Sequence, residues 1–272
     1  MDLGLAGKRG VVVGGSRGIG KAIALELARE GVDLVISART EDELARTARE
    51  ISAATGRRVL PMPLDAKDRG RVESAIDDAA RELGGLNILI NSGSRPGGSP
   101  TATGRIDTIV DEDFLDDFDT KYMGALRCAR AAIPHLKASG WGRIVNISGL
   151  NARTAGNMSG GARNASLVHL TRTLALQLGR DGITVNCIHP GATRTERTGV
   201  VLEARAKEAG LTPAQVEARD FAQDNPRSNS IGRMVDAAEI GYLTVFLCSE
   251  KAWAVNGEVI AADGGGSRSV YY

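Results

Sequence analysis

Short runs of almost unbroken apolar residues recur along the chain, separated by longer stretches in which apolar residues return every three or four positions. The short runs lie at 10–13, 32–37, 58–62, 86–90, 142–147, 183–188 and 258–261, and most are rich in Val, Ile or Leu. A strand with apolar side chains pointing both ways belongs in a parallel sheet covered above and below. The longer stretches, near 18–30, 41–54, 68–83, 111–138, 161–180 and 236–248, carry the helical period. This alternation predicts an α/β protein with a doubly wound parallel sheet, whose ligands sit above the carboxyl ends of the strands. The length, 272 residues, suits a single domain of this kind.

Two stretches interrupt the alternation. Residues 94–107 (SRPGGSPTATGRID) are rich in Gly, Pro, Ser and Thr and read as an exposed loop. Residues 195–233 are longer, partly helical, and follow the sixth strand. Both fall at the ligand end of such a sheet and are expected to shape a substrate cleft.

Between the first strand and the first helix stands Gly14-Gly15-Ser16-Arg17-Gly18-Ile19-Gly20. Glycine suits a sharp turn whose backbone must nearly touch a pyrophosphate, and the helix start that follows offers free N–H groups and a positive dipole end. The Gly-x-x-x-Gly-x-Gly spacing resembles that of the short-chain dehydrogenase/reductase family. Further marks follow in family order: Asp65 after Leu64, Asn91-Ser92-Gly93-Ser94, Asn186-Cys187-Ile188-His189-Pro190-Gly191 with Thr193 and Thr195 beyond, and Asp263-Gly264-Gly265. The resemblance covers about residues 7–266 and implies a Rossmann-type fold holding a nicotinamide dinucleotide. It also implies roles: Asp65 beside the adenine, Asn91 and Gly93 at the cofactor edge, Pro190, Gly191, Thr193 and Thr195 toward the carboxamide, and assembly as a dimer or tetramer through the long helices. The second strand ends Ser37-Ala38-Arg39, with no acid to accept ribose hydroxyls. Arg39 and Arg17, with Ser16, favour the 2′-phosphate of NADP(H) instead.

The family's proton apparatus is missing. A serine, a Tyr-x-x-x-Lys pair and an asparagine on the preceding helix are implied by the resemblance; this chain aligns Gly149, Gly160, Asn164 and Lys121 with them. The tyrosines are Tyr122, Tyr242, Tyr271 and Tyr272, and no lysine lies between Lys137 and Lys207. One substitute suggests itself: the long side chain of Lys121, facing the position vacated at Asn164, puts an ammonium in the missing lysine's place. There it binds the cofactor ribose, or acts as an acid if burial lowers its pKa. Ser148 is the second catalytic candidate. Ser159, Asn157 and Arg163 are nearby polar groups, each with an ordinary reading as helix cap, turn residue and surface charge.

With 34 basic and 33 acidic residues the net charge is +1, which gives no general attraction to nucleic acid or an anionic membrane. No apolar run approaches the ~20 residues of a membrane span, and the first ten residues lack a signal peptide's pattern. Cys128, Cys187 and Cys248 are odd in number and lie in apolar segments, as expected of buried thiols in the cytoplasm. None of the three histidines has a partner at metal-ligand spacing, and all read as structural or solvated. The expected activity is an NADP(H)-dependent oxidoreductase acting on a small carbonyl, alcohol or imine. A lyase or isomerase on the same fold, or an inactive NADP(H)-binding regulator, is the alternative. Tyr271 and Tyr272 end a tail that could reach a neighbouring subunit.

Overall fold

The computed structural model describes residues 1–225 and 228–267; the tyrosine tail lies outside them. In chain order the strands are β1 (Arg9–Val13), β2 (Asp33–Ala38), β3 (Val59–Pro63), β4 (Ile88–Asn91), β5 (Gly142–Ile147), β6 (Ile183–Pro190), the short β7 (Thr193–Arg194) and β8 (Val235–Asp236), and β9 (Val259–Ala262). Seven of them form one parallel sheet in the order β3-β2-β1-β4-β5-β6-β9, while β7 and β8 pair separately. The helices are α1 (Gly18–Arg29), α2 (Glu41–Thr55), α3 (Arg69–Leu83), α4 (Asp111–Phe118), α5 (Gly124–Ala138), α6 (Met158–Leu178), α7 (Thr198–Ala209), α8 (Pro213–Asp220) and α9 (Ala237–Cys248).

The apolar runs divide their side chains between two helical layers. Val11, Val35, Leu89, Ile144 and Val185 pack with α3, α5 and α6, whereas Val12, Leu34, Ile36, Ile90 and Val145 pack with α1, α2 and α9. That is the period of two of a strand covered on both faces. Each such side chain withdrawn from water contributes about 2 kcal/mol. Val13 pairs with Ser37 on one side and Asn91 on the other, so β1 lies where the strand order reverses. The crevice above that reversal is where an open α/β sheet binds its ligand.

One detail departs from the sequence expectation, and two refine it. The stretch 111–138 is two helices, because a π-helical turn (Asp119–Met123) inserts between α4 and α5. Residues 94–107 contain two single 3₁₀ turns, at Pro100–Ala102 and Ile106–Thr108. Within 195–233, α7 and α8 close a small core of their own from Leu202, Ala206 and Val216, clasped by Arg205 on Asp220 at 2.6 and 2.8 Å. At the opposite, amino-terminal end of β5, the buried Arg143 guanidinium stacks on Trp141 and Trp253, 4.0 and 4.3 Å from the ring centres. It also donates to the Gly142 and Ser249 carbonyls.

Candidate active site

The turn after β1 is held by main-chain contacts that only glycine permits. Gly14 has φ +80°, and a Cβ there would stand 2.7 Å from the Gly93 nitrogen. At Gly20 a Cβ would lie 2.1 Å from the Gly14 carbonyl oxygen. The N–H groups of Gly14 and Gly15 donate to the Ser37 carbonyl at 2.8 and 3.0 Å, tying the turn to β2. Thr47 on α2 donates to the Ser16 carbonyl at 2.8 Å, and Ile19 packs onto the core. No side chain of the turn caps α1. The Gly18 N–H instead points at the Glu196 carboxylate, 3.0 and 3.1 Å from its two oxygens. An anion is therefore already seated where a pyrophosphate is expected, and the donors fit a dinucleotide.

Beside this turn, above β2 and β3, Arg39, Glu41, Pro63, Leu64, Asp65 and Arg71 line an open groove. Asp65 is fixed there by the Lys67 N–H, which donates to its Oδ1 at 3.0 Å. Arg39 is exposed and available to a phosphate; Arg17 is partly engaged, its Nε 3.5 Å from Glu43. Arg71 was not anticipated, because its place at the start of α3 gives no hint that the helix begins beside β2. On the other side of the crevice, Asn91 donates to Asn146 and Asn146 to Thr171, each at 2.9 Å, linking β4, β5 and α6. Gly191 passes so close to Asp263 that a Cβ would lie 2.6 Å from its Cα. Thr193 donates to the Gly191 carbonyl at 2.9 Å, and the Thr195 N–H donates to the Thr198 hydroxyl at 2.9 Å.

Lys121 sits in the π turn, 6% exposed, with its Nζ donating to the Ser148 carbonyl at 2.9 Å. Burial, reinforced by the Arg163 charge, lowers its pKa to about 7. It shares the lining of a void of about 10 Å³, room for about one water, with Asn91, Gly93 and Thr120. The Ser148 hydroxyl donates to the Asn164 carbonyl at 3.1 Å and so ties β5 to α6. The Gly149 N–H donates to His189 Nδ1 at 3.3 Å, which leaves the proton of the neutral ring on Nε2. Burial first, then the Arg153 and Lys121 charges, push the His189 pKa down to about 4.

A second buried cluster anchors the 94–107 loop. Asp117, 1% exposed, accepts from the Ser99 N–H and the Ser159 hydroxyl, both at 2.7 Å, and lies 3.8 Å from Arg163. Arg163 is itself 4% exposed and donates to the Arg95 carbonyl, so it is a buried tie and not a surface charge. The α6 cap is Asn157, which accepts from the Gly160 N–H at 2.6 Å; Ser159 lies inside the first turn and faces Asp117. Asp117 is one of five acids between 111 and 117, and nothing in the local pattern marks it as the buried one.

A family model described as enoyl-(acyl carrier protein) reductase matches residues 13–267. The NADPH-dependent reductase BacG of Bacillus subtilis is 32% identical over 262 residues, 95% of this chain and 97% of its own length. The chain belongs to the short-chain dehydrogenase/reductase family. Another relative is the 3-oxoacyl-acyl-carrier-protein reductase FabG of Staphylococcus aureus, 28% identical over 95% of this chain and 97% of that protein. L-sorbose reductase from Gluconobacter frateurii, solved with NADPH and L-sorbose, superposes with a TM-score of 0.91 at 30% identity, covering 99% of this chain and 100% of that one.

Within this short-chain dehydrogenase/reductase, Gly149 and Gly160, which the sequence resemblance sets at the family's serine and tyrosine positions, have close neighbours. A Cβ on Gly160 would meet the Asn151 amide nitrogen at 2.6 Å and the Asn157 side chain at 2.7 Å. A Cβ on Gly149 would lie 2.8 Å from the Asn164 amide nitrogen. Side-chain amides thus fill the space beside both glycines, and Asn151 is a residue that the sequence pattern did not single out. Among the described residues, no helix is long and apolar enough to cross a membrane.

Proposed function

We propose that the protein is an NADP(H)-dependent oxidoreductase acting on a small carbonyl, alcohol or imine substrate, with Lys121 in place of the usual proton-transfer pair. The observation that carries the reading is the uncapped start of α1, already holding an anion on Gly18, beside the groove at the end of β2, where Arg39 stands in place of an acid. The NADPH named for BacG and for L-sorbose reductase supports it. NADPH supplies a hydride when bound. Gly14, Gly18 and Gly20 let the main chain approach its phosphates, Arg39 pairs with the 2′-phosphate, and Asp65 faces the adenine. Thr195 orients the carboxamide, and Ser148 holds α6 against β5. Lys121, with a pKa of about 7, holds a proton at Nζ that it can release and regain near neutrality.

A second reading has support in the amides of Asn151 and Asn164, which crowd the aligned catalytic positions: a protein that holds NADP(H) without turning it over. Titration of NADPH fluorescence, followed by a carbonyl and imine screen with excess NADPH, separates the two. Binding with oxidation of NADPH is the expected outcome. Binding without oxidation of any substrate favours the second reading, and absence of binding removes both. Leu115 on α4 and Leu176 on α6 are 63% and 87% exposed, which supports assembly of copies through these helices.

A further inference from the structure

The Glu196 contact has no place in a cofactor-bound site. Its carboxylate reaches the Gly18 N–H across 178 positions of sequence, from the exposed segment between β7 and α7. The start of α1 lacks a side-chain cap of its own, and its positive end attracts one negative group. A pyrophosphate needs the same N–H groups, and two anions at one helix start repel each other. The contact also brings the Thr195 methyl within 3.7 Å of where a Gly18 side chain would begin, so the connection into α7 lies against the phosphate turn.

We propose that Glu196 is an internal competitor for the cofactor: its carboxylate closes the phosphate-binding turn, and the dinucleotide must displace it, together with the segment leading into α7, before it can seat. This rests on the NADP(H) reading but adds a residue that tunes affinity from outside the turn. Bringing its own charge, Glu196 weakens binding of any anionic ligand at Gly18, inorganic pyrophosphate included. Raising salt screens that competition and narrows the difference between the wild type and a neutral variant.

The test compares wild type, Glu196→Gln and a control, Glu203→Gln, on the exposed face of α7. NADPH affinity and association rate are measured by fluorescence titration and stopped-flow, with inorganic pyrophosphate as a second probe. Glu196→Gln is expected to bind NADPH about tenfold more tightly and faster, with the control unchanged. Amide hydrogen exchange at Gly18 without ligand gives an independent readout: protected in wild type, faster in Glu196→Gln. Binding by Glu196→Gln but not by wild type supports the proposal in its strongest form. Equal or weaker affinity in Glu196→Gln, with wild type binding NADPH, overturns the competitor alone. No binding by either protein overturns the competitor and the cofactor reading together.

Discussion

The two halves of the crevice treat their vacancies in opposite ways. On the β1–β3 side, glycines keep space open by main-chain geometry, and the groove beyond them is lined by Arg39, Asp65 and Arg71. On the β4–β6 side, glycines at 149 and 160 leave space that the Asn164, Asn151 and Asn157 amides have taken up. A space bounded by main chain is kept open by glycine, whereas one bounded by side-chain ends is set by the side chains around it. The first cannot accept a Cβ, whereas the second tolerates side-chain exchange.

The comparison breaks most sharply at Gly20. Gly20→Val places a Cβ 2.1 Å from the Gly14 carbonyl, against backbone that has nowhere to move. NADPH affinity is expected to fall at least about 100-fold, or roughly 3 kcal/mol, as read by fluorescence titration. Retained affinity in that variant would show that the turn is not the binding element.

A smaller effect is expected at Lys121, where the two halves meet. Its folded pKa of about 7 lies below the ordinary 10.5, so between those values the unfolded chain holds the extra proton. Wild-type stability therefore rises with pH from about 7 to 10.5, and the burial penalty is complete below 7. Lys121→Met removes the penalty but also the bond to the Ser148 carbonyl. A net gain of about 2 kcal/mol at pH 6 follows, shrinking toward pH 10. Urea unfolding across pH checks it, and a pH-independent difference sinks the assignment.

The least effect sharpens the other side. Gly160→Tyr meets side chains rather than backbone, the Asn151 amide and the Asn157 cap of α6, so a loss of about 1 kcal/mol is expected, seen as a Tm lower by a few degrees. Adding Asn151→Ala should recover the part due to Asn151, leaving the cost of displacing the Asn157 cap. No recovery at all would mean that the Asn151 amide is not what the new side chain meets.

Much of this was legible in the chain. The seven apolar runs became the seven strands of the large sheet within about two residues at each end, since two-sided burial leaves a dense signal in sequence. The glycine turn was legible for a similar reason: it is local, and its spacing fixes its geometry. What stayed hidden is contact between distant segments. The π turn keeps the polarity pattern of an uninterrupted helix, so 111–138 gave no sign of the break that carries Lys121. Arg163 reads as an exposed charge until Asp117, 46 positions earlier, is brought beneath it by the packing of α4 on α6. Glu196 carries no mark at all, because its partner is a backbone N–H in the first helix.

The stacking of Arg143 on Trp141 and Trp253 has a practical consequence. The protein's two tryptophans share one cation at the base of β5, while nucleotide chemistry happens at the strand tops, about 17 Å away along a five-residue rise. Indole emission therefore reports the integrity of the sheet's floor. It should stay nearly constant in hue when the crown rearranges, yet lose intensity through energy transfer to a reduced nicotinamide, so one spectrum distinguishes a melted floor from an occupied crown.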